Sequence, residues 1–349
     1  MGSRTTIRDV AERAGVSNAT VSNVINDKGK VSESTRKEVV AAIEELNYRP
    51  NASAQRKLQS RGPKSVGLVI KEIHNPYFAD VIVGAQEKAN EEGYTIVLSS
   101  SEGRRDSEVE AVDLLVEKDL DGIIINPLLD RDVDLSHLFN LKRRNIPFVL
   151  LEEVHGLKSS LVDVDNVQAA REVAGYLFEM GHEHVIHFAG PEYSMHSGER
   201  VEGFRQAFFD SHQVFTEDFV VRAGARREEG YRAGMEYFGE RPASERPTAV
   251  TCYNDMVAIG LLRALRELGI AVPEEVSVTG FDDIEPCKYA PVPLTSMWVP
   301  TTEMGRTAME VLIRQIEASG QPEPEVVNLE AEMTVRASTA PAPKKAASA

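Results

Sequence analysis

The sequence has few of the residues that mark small secreted or metal-binding proteins. It has only two cysteines in 349 residues, Cys252 and Cys287, too far apart for a disulfide framework or a zinc knuckle. We find no apolar signal segment at the N-terminus and no run of about 18 apolar residues. We therefore expect a cytoplasmic protein that does not enter a membrane.

Common enzyme signatures are also missing from the sequence. It contains no glycine-rich phosphate loop, no P-loop and no Gly-x-Ser-x-Gly motif. The histidine cluster His182-Glu183-His184 with His187 lacks the i, i+4 spacing of zinc proteases. The side chains of the adjacent Asp282 and Asp283 diverge, which disfavours paired-carboxylate hydrolysis. We predict no metal, no cofactor and no catalytic activity.

Charge is distributed unevenly along the chain. The whole sequence has 39 Lys and Arg against 55 Asp and Glu, a net charge of −16. Residues 1–61 hold 11 basic and 7 acidic residues, a net charge of +4, and the remainder carries −20. A small basic head on a large acidic body is compatible with local phosphate binding. The length predicts two or three domains.

Residues 6–26 have the pattern of a helix, a tight turn and a second helix. Thr6 and Asp9 resemble a capping box, Gly15 permits the reversal, and Ser17 can cap the second helix. The outward residues near the start of that helix are Asn18, Ala19, Ser22 and Asn23. A recognition helix presents such residues to base edges in the DNA major groove. The alternative is a helical hairpin with a solvated polar face.

The remainder of the chain predicts a larger α/β region. Short apolar strands alternate with amphipathic helices from Ser65, and a second series begins near Asp165. This alternation predicts two doubly wound parallel α/β subdomains behind a three-helix head. We predict a helix-turn-helix domain at 1–50, a hinge at 51–64, a first core subdomain at 65–163 and 293–326, a second at 164–292 and 327–338, and a disordered tail at 339–349.

Two consecutive α/β layers imply a cleft, and pockets favour the carboxyl ends of parallel strands. Polar or aromatic residues follow several predicted strands: His74, Tyr77, Phe78, Glu152, Asn254, Asp255, Asp282 and Asp283. These residues are scattered in the sequence but would converge in this fold. They predict a small-molecule binding site.

The chain resembles the LacI/GalR family of bacterial transcription regulators over nearly its whole length. The blocks that carry the resemblance occur in family order: 6–11, 14–17, 20–22, 46–51, 75–78, 180–182, 189–191, 254–258 and 280–283. Several ordered blocks are more specific than one motif. The resemblance implies a homodimer on a pseudo-palindromic operator, a core like that of periplasmic sugar-binding proteins, and an effector in its cleft that alters the spacing of the hinges.

The resemblance assigns base reading to Asn18, Ala19 and Asn23. Most members have arginine at the position of Asn23, which suits guanine, whereas asparagine pairs with adenine. We therefore predict a departure from the usual operator at that step. Phosphate contacts, which position the protein without specifying sequence, are predicted for Ser17, Thr20, Ser22, Asn26 and Lys30.

The hinge differs from the family pattern by one residue. Family hinges form paired helices that insert a leucine into the minor groove. Ala54 and Gln55 keep their offsets from Asn51, but Leu58 lies one residue further than the family leucine. One residue rotates a helical face by about 100°. We predict that Leu58 is nevertheless the inserted residue.

The resemblance also assigns effector contacts. It places Arg200 at an effector-contacting helix start, Asn254 and Asp282 where sugar hydroxyls are held, and Glu152 where aspartate is common. His74, Tyr77 and Phe78 complete the predicted site. Ala225 stands where members often have a stacking aromatic. Trp298 either replaces that ring or packs in the interdomain hinge.

This set of hydrogen-bonding groups favours a sugar or sugar derivative. A purine-like or phosphorylated corepressor is the alternative, and an anionic group on the ligand near Arg200 or His74 is left open. Both inducer and corepressor action are compatible with the architecture. The alternatives to a regulator are an enzyme fused to a DNA-binding head and an exported sugar-binding protein.

Overall fold

The computed structural model describes residues 6–25, 31–46, 48, 64–129, 134–318 and 322–343. The chain divides into two compact units, Met1–Lys64 and Ser65–Ala349. The first unit contains α1 (Ile7–Arg13), α2 (Asn18–Ile25) and α3 (Glu33–Glu45). Its core is formed by side chains that are fully buried: Val10, Val21, Val24 and Val39.

Local signals explain where the first two helices begin. The carboxylate of Asp9 accepts hydrogen bonds from the backbone N–H and the hydroxyl of Thr6, at 2.7 and 2.8 Å. Ser17 Oγ accepts from the backbone N–H of Thr20 at 3.0 Å. Gly15 has a φ of +67°, which side-chain-bearing residues rarely adopt. The predicted helix-turn-helix is confirmed.

The second unit contains two six-stranded sheets. The first-sheet strands are β1 (Lys64–Ile70), β2 (Tyr94–Ser100), β3 (Gly122–Ile125), β4 (Phe148–Leu150), β5 (Ser160–Val164) and β11 (Val326–Leu329). The second-sheet strands are β6 (Val185–Ala189), β7 (Val220–Arg222), β8 (Ala249–Cys252), β9 (Ser277–Asp282), β10 (Thr295–Trp298) and β12 (Glu332–Thr334). The spatial orders are β11-β5-β4-β3-β1-β2 and β12-β10-β9-β8-β6-β7. In the second sheet, β12 is antiparallel to its neighbour β10. All the other neighbouring strands of that sheet are parallel to each other.

Helices connect and cover these strands. They are α4 (Pro76–Glu91), α5 (Arg105–Glu117), α6 (Ser136–Arg143), α7 (Asn166–Glu179), α8 (Met195–Asp210), α9 (Arg227–Gly239), α10 (Asp255–Glu267), α11 (Pro286–Tyr289) and α12 (Thr301–Glu317). Helices α4 and α12 pack closely because Gly84 and Gly305 lie between them. A Cβ atom on Gly84 would overlap the carbonyl oxygen of Thr302, and one on Gly305 that of Val81.

The chain crosses between the sheets after β5, after β10 and after β11. The predicted division placed 293–326 in the first half, but β10 pairs with β9 in the second sheet. It placed 327–338 in the second half, but β11 pairs with β5 in the first sheet. Both are four-residue strands that belong to different sheets, and the helix between them packs on the first half. Alternation along the chain therefore does not reveal which sheet they join.

The end of the chain is ordered further than composition predicts. We expected disorder from Thr339, yet the Ala340 carbonyl lies 3.0 Å from His182 Nε2 and accepts from Ser277 Oγ at 3.3 Å. The backbone N–H of Ala342 donates to the Met180 carbonyl. These bonds attach the segment to the second sheet. Residues 344–349 lie outside the described residues.

Candidate functional site

Helix α2 presents a polar face from the first unit. Asn18, Ala19 and Asn23 are exposed, and Ser17 precedes them in an exposed position. Ala19 and Asn23 are four residues apart, so they share one helical face. Thr20 and Ser22 are half-buried beside it. The other predicted DNA contacts lie outside the described residues and stay predictions: Asn26, Lys30, Ala54, Gln55 and Leu58.

The second unit contains a cavity where strands of both sheets end, with about 540 Å³ of empty space that includes open solvent. Its lining residues come from both halves of the unit: Lys71, Glu72, Asn75, Tyr77, Phe78, Asn126, Pro191, Tyr193, Ser194, His196, Arg200, Ala225, Tyr253, Asn254 and Asp282. Among the predicted effector contacts, the cavity brings together Tyr77, Phe78, Arg200, Asn254 and Asp282.

Arg200 on α8 is 5% exposed and is held by several partners. Its Nε donates to Asn166 Oδ1 at 3.0 Å, and its Nη1 donates to the Tyr253 carbonyl. The guanidinium carbon lies 3.5 Å from the centre of the Phe281 ring. These contacts fix the plane of the guanidinium at the wall of the cavity.

Asp282 and Asn254 follow the general rule that strand ends carry the site. Asp282 ends β9 with a φ of 109°, and its Oδ1 lies 3.7 Å from Arg200 Nη1. Burial raises the pKa of Asp282 above its usual range, although Arg200 lowers it. Asn254 Oδ1 accepts from the Val257 N–H at 2.9 Å, while its Nδ2 donates to the Ala225 carbonyl at 3.0 Å. Asn254 therefore caps α10 and has one amide hydrogen left for a ligand.

Glu152 lies behind the cavity wall rather than in its lining, and it is fully buried. One carboxylate oxygen accepts from Lys71 Nζ. The other accepts from Ser194 Oγ at 3.1 Å and from the backbone N–H groups of Met195 and His196 at 2.5 and 3.4 Å. Burial alone would raise the pKa of Glu152, but Lys71 and His196 outweigh it and lower that pKa. Glu152 thus joins the end of β4 to the start of α8.

Two further ion pairs join the halves. His196 Nε2 on α8 lies 2.8 Å from Asp163 Oδ2 on β5, and both side chains are buried. Burial would lower the pKa of His196, but Asp163 and Glu152 raise it overall. At the second pair, Arg226 Nε lies 3.1 Å from Glu72 Oε1. The cavity is therefore bounded by bonds between its two walls.

Several lining residues do not belong to the set predicted from the sequence, above all Asn126. Asn126 follows β3 and is 3% exposed, and its Oδ1 has no hydrogen-bond partner among the described residues. The strand-end rule that selected Asn254 would also have found it. His196 and Tyr253 were missed as well, since a buried ion pair and a ring beside a strand have no short sequence signature.

Two predicted effector contacts, His74 and Trp298, lie outside the cavity lining. His74 is exposed and does not belong to the cavity lining. Trp298 ends β10, is 39% exposed and likewise does not line the cavity. Ala225 does line it, so that position supplies no ring.

In the histidine cluster, His182 Nδ1 lies 2.9 Å from Thr248 Oγ1 and His187 Nδ1 lies 2.9 Å from Thr251 Oγ1. In the described parts of the chain, no group of three or more His, Cys, Asp or Glu could hold a metal.

Comparisons with known proteins match both units. Residues 6–51 match the family model of bacterial regulatory proteins, lacI family, and residues 174–339 match a periplasmic binding protein-like domain. The HTH-type transcriptional repressor PurR of Photobacterium profundum is 32% identical over 338 residues, which cover 95% of this chain and 98% of that protein. The chain belongs to the LacI family.

Further relatives support this membership. PurR of Proteus mirabilis is 35% identical, with 89% of this chain and 90% of that protein covered. The transcriptional regulator CelR–cellobiose complex has a TM-score of 0.72 at 32% identity and covers 96% of this chain and 100% of its own. The lac repressor dimer bound to operator and the anti-inducer ONPF has a TM-score of 0.71 at 27% identity, with 97% and 100% covered.

The LacI-family chain is a transcriptional regulator with a helix-turn-helix DNA-binding domain and an α/β core. The fold and family predictions are confirmed. Within residues 6–25, 31–46, 48, 64–129, 134–318 and 322–343, no helix has the length and apolar character needed to span a membrane.

Proposed function

We propose that this LacI-family regulator is a repressor that binds a pseudo-palindromic operator as a homodimer and responds to a sugar or sugar derivative in its cavity. The names of the PurR relatives support repression. A lac repressor dimer on operator, among the similar structures, supports the dimeric arrangement. The CelR complex with cellobiose supports a carbohydrate.

Asn126 is the observation that carries the effector site. A buried polar atom without a partner is costly, and such atoms are rare in native proteins. Asn126 Oδ1 is such an atom, and Asn126 belongs to the lining of the cavity. A ligand hydroxyl donating to this oxygen would satisfy it.

The arrangement of donors and acceptors favours hydroxyl groups. Asn126 offers an acceptor from the first half, and Asn254 offers a spare donor from the second. Ser194 Oγ donates to Glu152, and Tyr253 Oη lies 3.1 Å from Ser194 Oγ in the same lining, so both hydroxyl oxygens keep lone pairs that can accept from a ligand. Groups that both donate and accept are matched by the hydroxyls of a sugar.

A purine is the second candidate, because the curated relatives described above are named PurR. The rings of Tyr77 and Phe78 line the cavity and offer apolar contact. They meet edge to face, at an interplanar angle of 85°, rather than as two parallel plates. Ala225 adds no ring opposite them. These features favour the sugar over the purine.

The effector site is tested by thermal shift with neutral sugars and nucleobases, in the wild type and in Asn126→Ala. A ligand at 100 times its Kd stabilises the fold by about 2.7 kcal/mol, which raises the melting temperature of a domain of this size by roughly 5–10 °C. We expect Asn126→Ala to lose most of this shift. Each variant is compared with its own ligand-free melting temperature, because truncating the buried Asn126 also removes packing, although no hydrogen bond at Oδ1 is lost.

The matched control is Asn328→Ala, which changes an exposed asparagine on β11. This variant should keep the full ligand shift. A shift of equal size in wild type and Asn126→Ala would show that the ligand does not bind at Asn126 and would refute the cavity as the effector site. A shift with nucleobases alone would replace the sugar by a purine.

DNA binding is tested on inverted-repeat operators selected from a random pool. Binding should weaken steeply between 50 and 200 mM salt, because Lys and Arg contacts release counterions from the phosphates. A protein lacking residues 1–61 should not bind. Salt-independent binding, or binding by the shortened protein, would contradict the proposed role of the head.

A further inference from the structure

The charged side chains of the cavity all have partners of opposite charge in the protein. Lys71 Nζ contacts Glu152, and the two side chains are 10% and 0% exposed. His196 lies 2.8 Å from Asp163, at 9% and 8% exposure. Buried charges that are paired in this way are not available to a ligand unless the pair is broken.

The remaining charged residues of the lining also face a partner, although Arg226 is half-exposed. Glu72 pairs with Arg226 across the two halves at 3.1 Å. Arg200 lies 3.7 Å from Asp282 and also donates to neutral acceptors, as described above. Three of these cations face a carboxylate at close range, whereas Arg200 is held mainly by Asn166 and the Tyr253 carbonyl, because burial raises the pKa of Asp282 to about 8. Among the described residues that line the cavity, each cation is therefore already engaged by groups of the protein.

Helix N-termini are the other common anion sites, because their free N–H groups and dipole favour negative charge. At this cavity they are capped by side chains. Asn75 accepts from the Tyr77 N–H at the start of α4, and Asn254 caps α10. Glu152 occupies the start of α8, and Glu229 accepts from the N–H groups of Ala225 and Arg226 before α9, each at 2.9 Å.

Two of these caps are carboxylates, which repel an approaching anion. The wider field acts in the same direction, since the chain beyond residue 61 carries a net charge of −20. Clefts of one sign lower the local concentration of ligands of that sign. The ion pairs, the capped helix N-termini and the negative charge of the core thus all disfavour a negatively charged ligand.

We infer that the effector of this regulator is uncharged and rich in hydroxyl groups, such as a neutral mono- or disaccharide, rather than a sugar phosphate, a sugar acid or a nucleotide. The inference rests on the proposed function, in that it takes the cavity to be the effector site. It adds a discrimination that the family resemblance leaves open. The spare polar groups of the cavity, on Asn126, Asn254, Ser194 and Tyr253, are themselves neutral.

The test compares neutral compounds with their own phosphate esters on the full-length protein, by thermal shift and titration calorimetry. The pairs are glucose with glucose 6-phosphate, cellobiose with cellobiose 6′-phosphate, and guanosine with guanosine 5′-monophosphate. We expect the neutral member of at least one sugar pair to bind, and its ester to bind about 100-fold more weakly or not at all.

An ester that binds more tightly than its neutral parent overturns the inference and leaves a carbohydrate effector standing. Guanosine binding without sugar binding overturns the sugar proposal but supports an uncharged effector. A panel in which no neutral member binds overturns both.

A charge variant tests the reason for the discrimination. Glu72→Gln leaves Arg226 without its carboxylate at the cavity, so the ratio of ester affinity to neutral-sugar affinity should rise by about tenfold. The matched control is Glu153→Gln, which neutralises an exposed glutamate next to Glu152. This control should keep the wild-type ratio. An unchanged ratio in Glu72→Gln would refute the charge-pairing explanation.

Discussion

Glu152→Gln is a substitution for which the structure predicts a large loss of stability. It keeps the shape of the side chain but removes the negative charge that faces Lys71 Nζ and the first turn of α8. An amide also carries an NH₂ group, which cannot accept the hydrogen bonds that one of the carboxylate oxygens accepts now. The Lys71 ammonium, only 10% exposed, would be left without its anion.

The magnitude follows from burial. Removing one partner of a buried ion pair costs about 3–5 kcal/mol, because the other charge stays buried and unpaired. At about 2–4 °C per kcal/mol for a domain of this size, the melting temperature of the core should fall by roughly 6–20 °C. Loss of the anion at the start of α8 contributes a smaller part of this total.

The assay is thermal or urea unfolding of the full chain, with Glu153→Gln as control. Glu153 is exposed, so the control should change stability by no more than about 0.5 kcal/mol. Adding Lys71→Met to Glu152→Gln should recover part of the loss, since it removes the unpaired ammonium. A drop below about 1 kcal/mol in the single variant, or no recovery in the double variant, would refute the reasoning.

Two further predictions concern pH and DNA. The pKa of His196 is raised in the fold, so its stabilising contribution is present below the unfolded pKa of about 6.5 and is lost as the pH rises through the folded value. His196→Gln should therefore flatten the decline of the melting temperature above pH 6.5, and an unchanged slope would exclude this origin. Asn23→Ala should relax operator selection at one adenine step, at a cost of about 1–3 kcal/mol on the preferred operator. If selection from a random pool gives the same operator for both proteins, Asn23 does not read that step.

The fold class was predictable from the sequence because the helical spacing of apolar residues and the short apolar runs of strands are both local patterns. The head is set by Thr6, Gly15 and Ser17, each acting within a few residues of itself. The assignments of β1 to β4 and of β6 to β9 rest on short apolar runs separated by segments of helical spacing. β5, β10, β11 and β12 were not predicted, because β5 and β10 mix polar with apolar residues and no residue of β11 or β12 is fully buried.

The candidate site was predictable where one rule applied. Polar residues at strand ends included Asn254 and Asp282, and the same rule would have included Asn126. Family resemblance added Arg200, which lies on a helix. The rule gives no side-chain direction, so it could not separate exposed His74 from buried Glu152. Nor could it pair His196 with Asp163, 33 residues earlier in the chain.

The residues that line the cavity also hold its two walls together, and this links binding to conformation. Glu152 and His196 join the first half to α8, while Glu72 reaches Arg226 near α9. A ligand that bonds Asn126 on one wall and Asn254 on the other adds a further connection between the same halves. Such a ligand binds best when the walls have one particular separation, so it favours that arrangement by its differential affinity. A neutral ligand does so without competing for the two ion pairs that join the walls, and its binding therefore adds to the bonds between the walls instead of exchanging with them.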